Sequence, residues 1–253
     1  MSSLITRRAL VAGAASGAGL LLSGCDQVIQ NSTVRDIIFK GDDIHRTLQT
    51  ALTRPGALAT EFRPDQMSPV FRANGTLNPG GAVYSQHVAE KFANWRLEIT
   101  GMVNRPLRLS LAQLRSMPQR AQITRHDCVE GWSAIGKWQG PMLGEIMKLA
   151  GLQSGARHVI IHCADLYRGT NYYESLDMFD VFHPQTILAW QMNDAALSVP
   201  HGAPVRLRAE RHLGYKQAKY VMGIEAVATL ANHGLGQGGY WEDNVDYDTY
   251  AGI

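Results

Sequence analysis

The chain has 253 residues, 45% of them hydrophobic and 18% charged, with 24 Lys and Arg against 22 Asp and Glu. That length and apolar share allow one large core or two small ones, and make a globular protein the expectation. Three cysteines are too few for a disulfide scaffold.

Residues 1–24 stand apart. Arg7 and Arg8 precede an uncharged run of apolar and small residues from Ala9 to Ser23, the layout of a signal peptide. About 15 helical residues span about 22 Å, short of a hydrocarbon core of about 30 Å. Targeting is therefore expected rather than a permanent membrane span. Thr6-Arg7-Arg8-Ala9-Leu10 resembles a twin-arginine export signal, and Leu22-Ser23-Gly24-Cys25 matches a lipobox. Cys25 is the expected lipid anchor, and Asp26 resembles an inner-membrane retention signal. The mature protein is expected in the periplasm, tethered to the inner membrane; the alternative is a buried N-terminal helix with an incidental cysteine. Twin-arginine export carries folded proteins, which hints at a cofactor inserted before export. Losing Arg7 and Arg8 with the leader leaves 22 basic against 22 acidic residues, and a neutral protein is not expected to bind nucleic acid.

Residues 25–60 are polar and aperiodic up to Pro55-Gly56 and read as a tether with room for one short helix. Trp95, Leu97 and Ile99 then alternate with Arg96, Glu98 and Thr100, which predicts a half-buried strand. Ser110 with Gln113 forms a capping box for a short helix that Pro118 must end. Pro141 to Ala150 reads as a second helix with Gly151 past its end. Strand signals follow at Ala121–His126, His158–His162, Thr186–Gln191, Val205–Ala209 and Lys219–Thr229. The prediction is one α+β domain over 61–253, β-rich, with mixed sheets and short helices.

Two tempting motifs fail on context. Gly234-Leu235-Gly236-Gln237-Gly238-Gly239 fits G-x-G-x-x-G, but 14 residues follow it, too few for the helix and second strand of a dinucleotide unit. His158 and His162 flank the β-branched Val159-Ile160-Ile161, and a strand there would hold the rings about 13 Å apart, too far to chelate one metal. With no G-x-S-x-G, H-E-x-x-H or P-loop, the hydrolase and nucleotide routes have no anchor.

Cys128 remains, in Arg125-His126-Asp127-Cys128-Val129-Glu130-Gly131-Trp132 at the end of a predicted strand. Arg125 and His126 are two nearby cations that could favour a thiolate, the metal-binding form. A buried structural cysteine, or a disulfide from Cys128 to Cys163 in an oxidising compartment, are the other readings of these residues.

The run CVEGWSAIGKWQG from 128 to 140 resembles the molybdenum-ligand segment of the sulfite-oxidase family, in its bacterial periplasmic branch of sulfoxide reductases. The resemblance continues through Asn94-Trp95-Arg96, Leu188-Ala189-Trp190-Gln191-Met192-Asn193 and His201-Gly202-Ala203-Pro204-Val205-Arg206-Leu207. It runs on through Leu213-Gly214-Tyr215-Lys216-Gln217-Ala218-Lys219-Tyr220, Ile224-Glu225 and Gly239-Tyr240-Trp241. It implies the sulfite-oxidase molybdopterin-binding fold and a molybdenum-molybdopterin cofactor with Cys128 as the protein's thiolate ligand. It further implies pterin contacts from Asn74, Arg206, Gln217, Ala218 and Lys219. It also implies cofactor contacts from His201, where relatives have asparagine, and from Cys163, where the reductase branch has a threonine contact. His126 is the expected catalytic neighbour, and Asp127, Tyr172, Tyr173 and Trp241 are candidates for the substrate mouth. The implied activity is oxygen-atom transfer to or from a small S-oxide, N-oxide or sulfite-like substrate, with reduction favoured. Lacking a C-x-x-C-H haem motif, the chain would exchange electrons with a separate protein, a membrane haem subunit or a cytochrome. The alternatives are a metal-free, lipid-anchored binding or assembly module of the same fold, and a thiol redox protein using Cys128 and Cys163.

Overall fold

The structure is a computed structural model that describes residues 57–245 together with 33, 34, 247, 248 and 252. The chain divides into two units, Met1–Pro55 and Gly56–Ile253; in the first, Thr33 and Val34 are helical. The leader, the lipobox with Cys25 and most of the tether lie outside the described residues. Among the described residues no helix is long and apolar enough to cross a membrane.

In chain order the second unit runs α1 (Ala82–Ala89), β1 (Arg96–Gly101), β2 (Leu107–Ser110), α2 (Leu111–Ser116), β3 (Gln119–Cys128), β4 (Trp132–Pro141) and α3 (Leu143–Ala150). It continues with β5 (His158–Tyr167), β6 (Thr170–Asp177), α4 (Met178–Val181), β7 (Ile187–Ala189), β8 (Gln191–Met192), β9 (Ala195–Ala196), β10 (Arg206–Arg208), β11 (Val221–Val227) and α5 (Tyr240–Val245). Short 3₁₀ turns lie at Pro64–Gln66, Val199–His201 and Gly214–Lys216.

The larger sheet has the order β2-β1-β11-β5-β6. β1 pairs with β11 in parallel and the other pairs are antiparallel, so the sheet is mixed. The alternation predicted from Trp95 to Thr100 is realised: Trp95, Leu97 and Ile99 are fully buried. Against this face packs α3, whose Leu143, Ile146, Met147 and Ala150 recur at helical spacing in the main core. Each such side chain taken fully out of water contributes about 1.5–3 kcal/mol. Ser110 caps α2 by accepting from the Gln113 amide at 3.2 Å while Gln113 Oε1 accepts from the Ser110 amide, the box its sequence predicts.

The smaller sheet is β3-β4-β8-β9, beside a two-stranded β7-β10 ladder. β3 and β4 form one long hairpin in which Cys128 pairs with Trp132 at the turn end. The turn closes with the Gly131 amide donating to the Cys128 carbonyl at 3.0 Å, and Gly131 takes φ 83, a left-handed value that glycine adopts without penalty. The hairpin thus carries Cys128 to the exposed end of a rigid ladder, as its place at the end of a predicted strand suggested.

Candidate active site

The turn end of that hairpin borders a cavity of about 290 Å³, at the lower end of small-molecule sites. Its walls are the 71–76 segment, the hairpin end from Cys128 to Trp132, the turn at Pro200-His201, Arg206 on β10, and the 214–219 segment. Asp165 and Tyr167 from β5 and Tyr172 from β6, with Trp241 and Tyr247, complete it. Of the residues singled out in the sequence, Asn74, His126, Cys128, His201, Arg206, Gln217, Ala218 and Lys219 all line this space, although 145 positions separate Asn74 from Lys219.

Asn74 donates from Nδ2 to Cys128 Sγ at 3.2 Å. Its segment is held from behind by Lys219, whose Nζ donates to the carbonyls of Asn74 at 2.7 Å, Thr76 at 2.5 Å and Pro200 at 2.9 Å. Tyr220 adds a bond from its hydroxyl to the Thr76 carbonyl at 2.7 Å. An ammonium has three donors, so Lys219 acts here as a clamp between two walls. Burial, then the Arg206 charge, push its pKa down to about 7. Arg206 plays a similar part, donating to the carbonyls of His201 at 3.1 Å and Gln217 at 3.2 Å. Burial and neighbouring Arg208 lower its pKa to about 9.

His126 corrects one expectation. It is buried, and desolvation followed by the charges of Arg208, Arg206 and Lys219 holds its pKa well below the ordinary imidazole value, so it is neutral and not a cation. Arg208 Nη1 lies 3.0 Å from His126 Nδ1. A guanidinium only donates, so Nδ1 accepts and the ring proton sits on Nε2, the edge beside Gly214 in the cavity wall. Arg125, the other expected cation, pairs with Asp127 at 2.9 Å on the exposed side of the hairpin. Neither is the free cation beside Cys128 that the sequence suggested; the cationic side chains lining the cavity are Arg72, Arg206 and Lys219.

Cys163 is placed differently from the other candidates. It is in the main core, outside the cavity lining, with its thiol pushed well up by burial. Both cysteines are free, so the disulfide reading is not realised. Among the mouth candidates, Tyr172 and Trp241 line the cavity. Tyr173 and Asp127 do not: Tyr173 donates to Asp243 Oδ2 at 2.5 Å, and Asp127 bonds Arg125 and Ser133. Sequence reasoning passed over Phe71, Trp132, Asp165 and Tyr215 as lining residues; Trp132 and Tyr215 lay within runs that carry the resemblance, whereas Phe71 and Asp165 carry no local signal.

The donor set suits a metal brought in by a larger group. Among the described residues no three His, Cys, Asp or Glu gather in metal-binding geometry, so a metal at Cys128 would draw its other ligands from the group that carries it. Buried polar atoms on three lining residues, Arg206 Nε, Gln217 Oε1 and Asp165 Oδ1, have no hydrogen-bond partner. Buried polar atoms are rarely left so, and donors and acceptors together match a heterocycle with hydrogen-bonding edges.

Comparison with known proteins agrees with the geometry. Residues 84–233 match the model of the oxidoreductase molybdopterin binding domain. A chain of Azospira oryzae, provisionally assigned as the protein-methionine-sulfoxide reductase subunit YedZ1, is 32% identical over 98% of this chain and 88% of its own length. The protein-methionine-sulfoxide reductase catalytic subunit MsrP of Campylobacter jejuni is 32% identical over 52% of this chain and 48% of its own. In fold, the sulfane dehydrogenase SoxCD of Paracoccus pantotrophus matches 54% of this chain and 39% of its own with a TM-score of 0.50 at 22% identity.

Proposed function

The chain belongs to the oxidoreductase molybdopterin-binding domain family and is an oxidoreductase, and from that premise we propose that it reduces a small S-oxide or N-oxide by oxygen-atom transfer. The observation that carries the reading is Cys128, a free cysteine lining a cavity whose other walls offer unpartnered buried polar atoms. When bound, a molybdenum pterin supplies a metal able to exchange an oxo group and electrons at one open position.

The residues divide the remaining work. Cys128 would be the one protein ligand, oriented by the amide of Asn74. Arg206 Nε and Gln217 Oε1 would meet pterin edges, with Ala218 and His201 beside them, while Lys219 holds the Asn74 and His201 walls at a fixed separation. His126 would present a neutral Nε2–H donor to an oxygen at the reacting centre. Tyr172 and Trp241, with Tyr167 and Tyr247, give the site an aromatic side suited to a small apolar sulfoxide. The Arg7-Arg8 leader and the Cys25 lipobox support export to the periplasm and tethering at the inner membrane, where a separate haem protein or cytochrome would supply electrons.

The test is turnover. Protein expressed with its leader in a host that makes the cofactor should reduce methionine sulfoxide or dimethyl sulfoxide with a chemically reduced viologen, and Cys128→Ser should not. Wild type inactive on every S-oxide and N-oxide tried would overturn the reading in favour of a metal-free binding module.

A further inference from the structure

Beside Tyr172 and outside the cavity lining lies a cluster of charges with no exposure to solvent. Lys216 Nζ is 2.7 Å from Glu174 Oε2 and 2.6 Å from Glu242 Oε1, and all three side chains are buried. They come from β6, α5 and the 3₁₀ turn between β10 and β11. Two carboxylates facing one ammonium leave an excess negative charge in a dry interior, a cost of several kcal/mol for an unbalanced ion.

The geometry shows how the excess is removed. Glu174 Oε2 and Glu242 Oε2 converge on Gly239: a Cβ there would lie 2.5 Å from the first and 2.2 Å from the second, so only glycine permits the approach. Glu242 Oε2 is buried with no hydrogen-bond donor. Two buried carboxyls around one ammonium reach neutrality by holding one proton between them. Burial first, with Glu242 adding to it, pushes the Glu174 pKa up to about 8 against the pull of Lys216.

This cluster has one visible link to the cavity. Tyr172 and Glu174 are two apart on β6 and share a face; the Tyr172 hydroxyl is 2.8 Å from Glu174 Oε1 and 2.8 Å from the Tyr215 carbonyl. Tyr172 lines the cavity, whereas Glu174 and Glu242 do not. A hydroxyl can accept one proton while giving up another.

We infer that the Glu174–Glu242 pair, balanced by Lys216, stores one proton and that Tyr172 delivers it into the cavity. The inference rests on the S-oxide reading above. There, cleaving the S–O bond with two electrons from the external donor and two protons releases the reduced sulfur compound and water. The cluster supplies one of those protons and solvent at the cavity mouth supplies the other. The Tyr172 O–H bond breaks as an O–H bond forms on the departing oxygen, and the Glu174 O–H bond breaks as the Tyr172 hydroxyl is restored. Glu174 is left ionised and regains its proton from solvent before the next cycle. The titratable groups facing Glu174 are Tyr172 on its own strand, Lys216 and Tyr215 from the 3₁₀ turn, Glu242 from α5 and Cys163 from β5, with Tyr173 on the opposite face of β6 within range of its charge.

The test uses the cofactor-loaded enzyme in two measurements. Infrared spectra of the resting protein, with no substrate, are compared below and above pH about 8 for wild type, Glu174→Gln and Tyr172→Phe. A carboxylic-acid carbonyl band that disappears on raising the pH, persists in Tyr172→Phe and is absent in Glu174→Gln is the expected result; no such band in wild type overturns the stored proton. In steady-state reduction of dimethyl sulfoxide by a reduced viologen, Tyr172→Phe should lower kcat by about tenfold to 100-fold with KM and metal content unchanged. It should also lose the alkaline fall of kcat. A Tyr172→Phe enzyme with wild-type kcat and pH profile overturns the delivery step. Wild type that shows the band but turns over no S-oxide would locate the failure in the proposed reaction and take the delivery step with it.

Discussion

Arg208 donates to His126 Nδ1 at 3.0 Å, and by that bond a fully buried residue outside the cavity fixes which edge of the imidazole faces it. Arg208 is itself held by two bonds to Glu210, at 2.9 and 2.6 Å, and Glu210 accepts from Gln122 at 2.8 Å. The chain of contacts runs from β3 through β10 and back, so the orientation of His126 is a property of the packed strands.

Arg208→Met should therefore be severe. It strands the Glu210 carboxylate in the interior, which costs about 3–5 kcal/mol, whereas Arg208→Met with Glu210→Met removes both charges and should recover most of the loss. Urea unfolding of the two variants checks this; equal destabilisation in both would show that packing, not the unpaired charge, sets the cost.

Gly214 has no room for a side chain. A Cβ there would lie 2.7 Å from His126 Nε2 and 2.8 Å from Cε1, and the ring cannot retreat without breaking its bond to Arg208. Gly214→Ala should cost about 1–3 kcal/mol and lower turnover by displacing the ring. A variant as stable and active as wild type would mean that the wall yields elsewhere.

Lys219→Met should loosen the cavity on the Asn74 side. The Asn74 and Pro200 carbonyls lose this donor, Thr76 keeps only its bond from Tyr220, and Asn74 loses its fixed place against Cys128. Amide hydrogen exchange should accelerate over 71–76 and 199–202 while β3 and β4 stay protected. Unchanged exchange would contradict the clamp.

The Glu174 carboxyl gives stability a defined pH dependence. Its folded pKa, about 8, is raised above the unfolded value near 4.5, so the folded state binds the extra proton between them. Its contribution is full below the lower value and is lost as pH rises through the upper one. The melting temperature of wild type should thus decline over that interval through this group, and Glu174→Gln should flatten the decline. A variant with the wild-type slope would assign the effect to another group.

Much of this was legible before the fold was known, and what was not has identifiable causes. The strand at Trp95 to Thr100 and the cap at Ser110 depend on neighbours in sequence, and both are realised. β4 was not foreseen because three of its buried positions are Ala134, Gly136 and Gly140, which carry no apolar signal; Gly140 is there because a Cβ would lie 2.0 Å from the Leu188 carbonyl oxygen. α1 buries only Tyr84 and so shows no helical periodicity. Within the site, Cys128 was found from its own neighbourhood, but the neutral state of His126 depends on its burial and then on Arg208, 82 positions away. The Glu174, Lys216 and Glu242 cluster is likewise a product of tertiary contact, since those residues are distant in sequence and each alone reads as a surface charge.

The central claim is that Cys128 holds molybdenum in the cavity it lines. The most direct measurement is elemental analysis of protein produced with its leader in a host that makes the cofactor, wild type beside Cys128→Ser. About one molybdenum per chain in wild type, lost or catalytically silent in the variant, is the expected result. Metal-free wild type under those conditions, or a Cys128→Ser protein with full metal and full activity, would contradict the account.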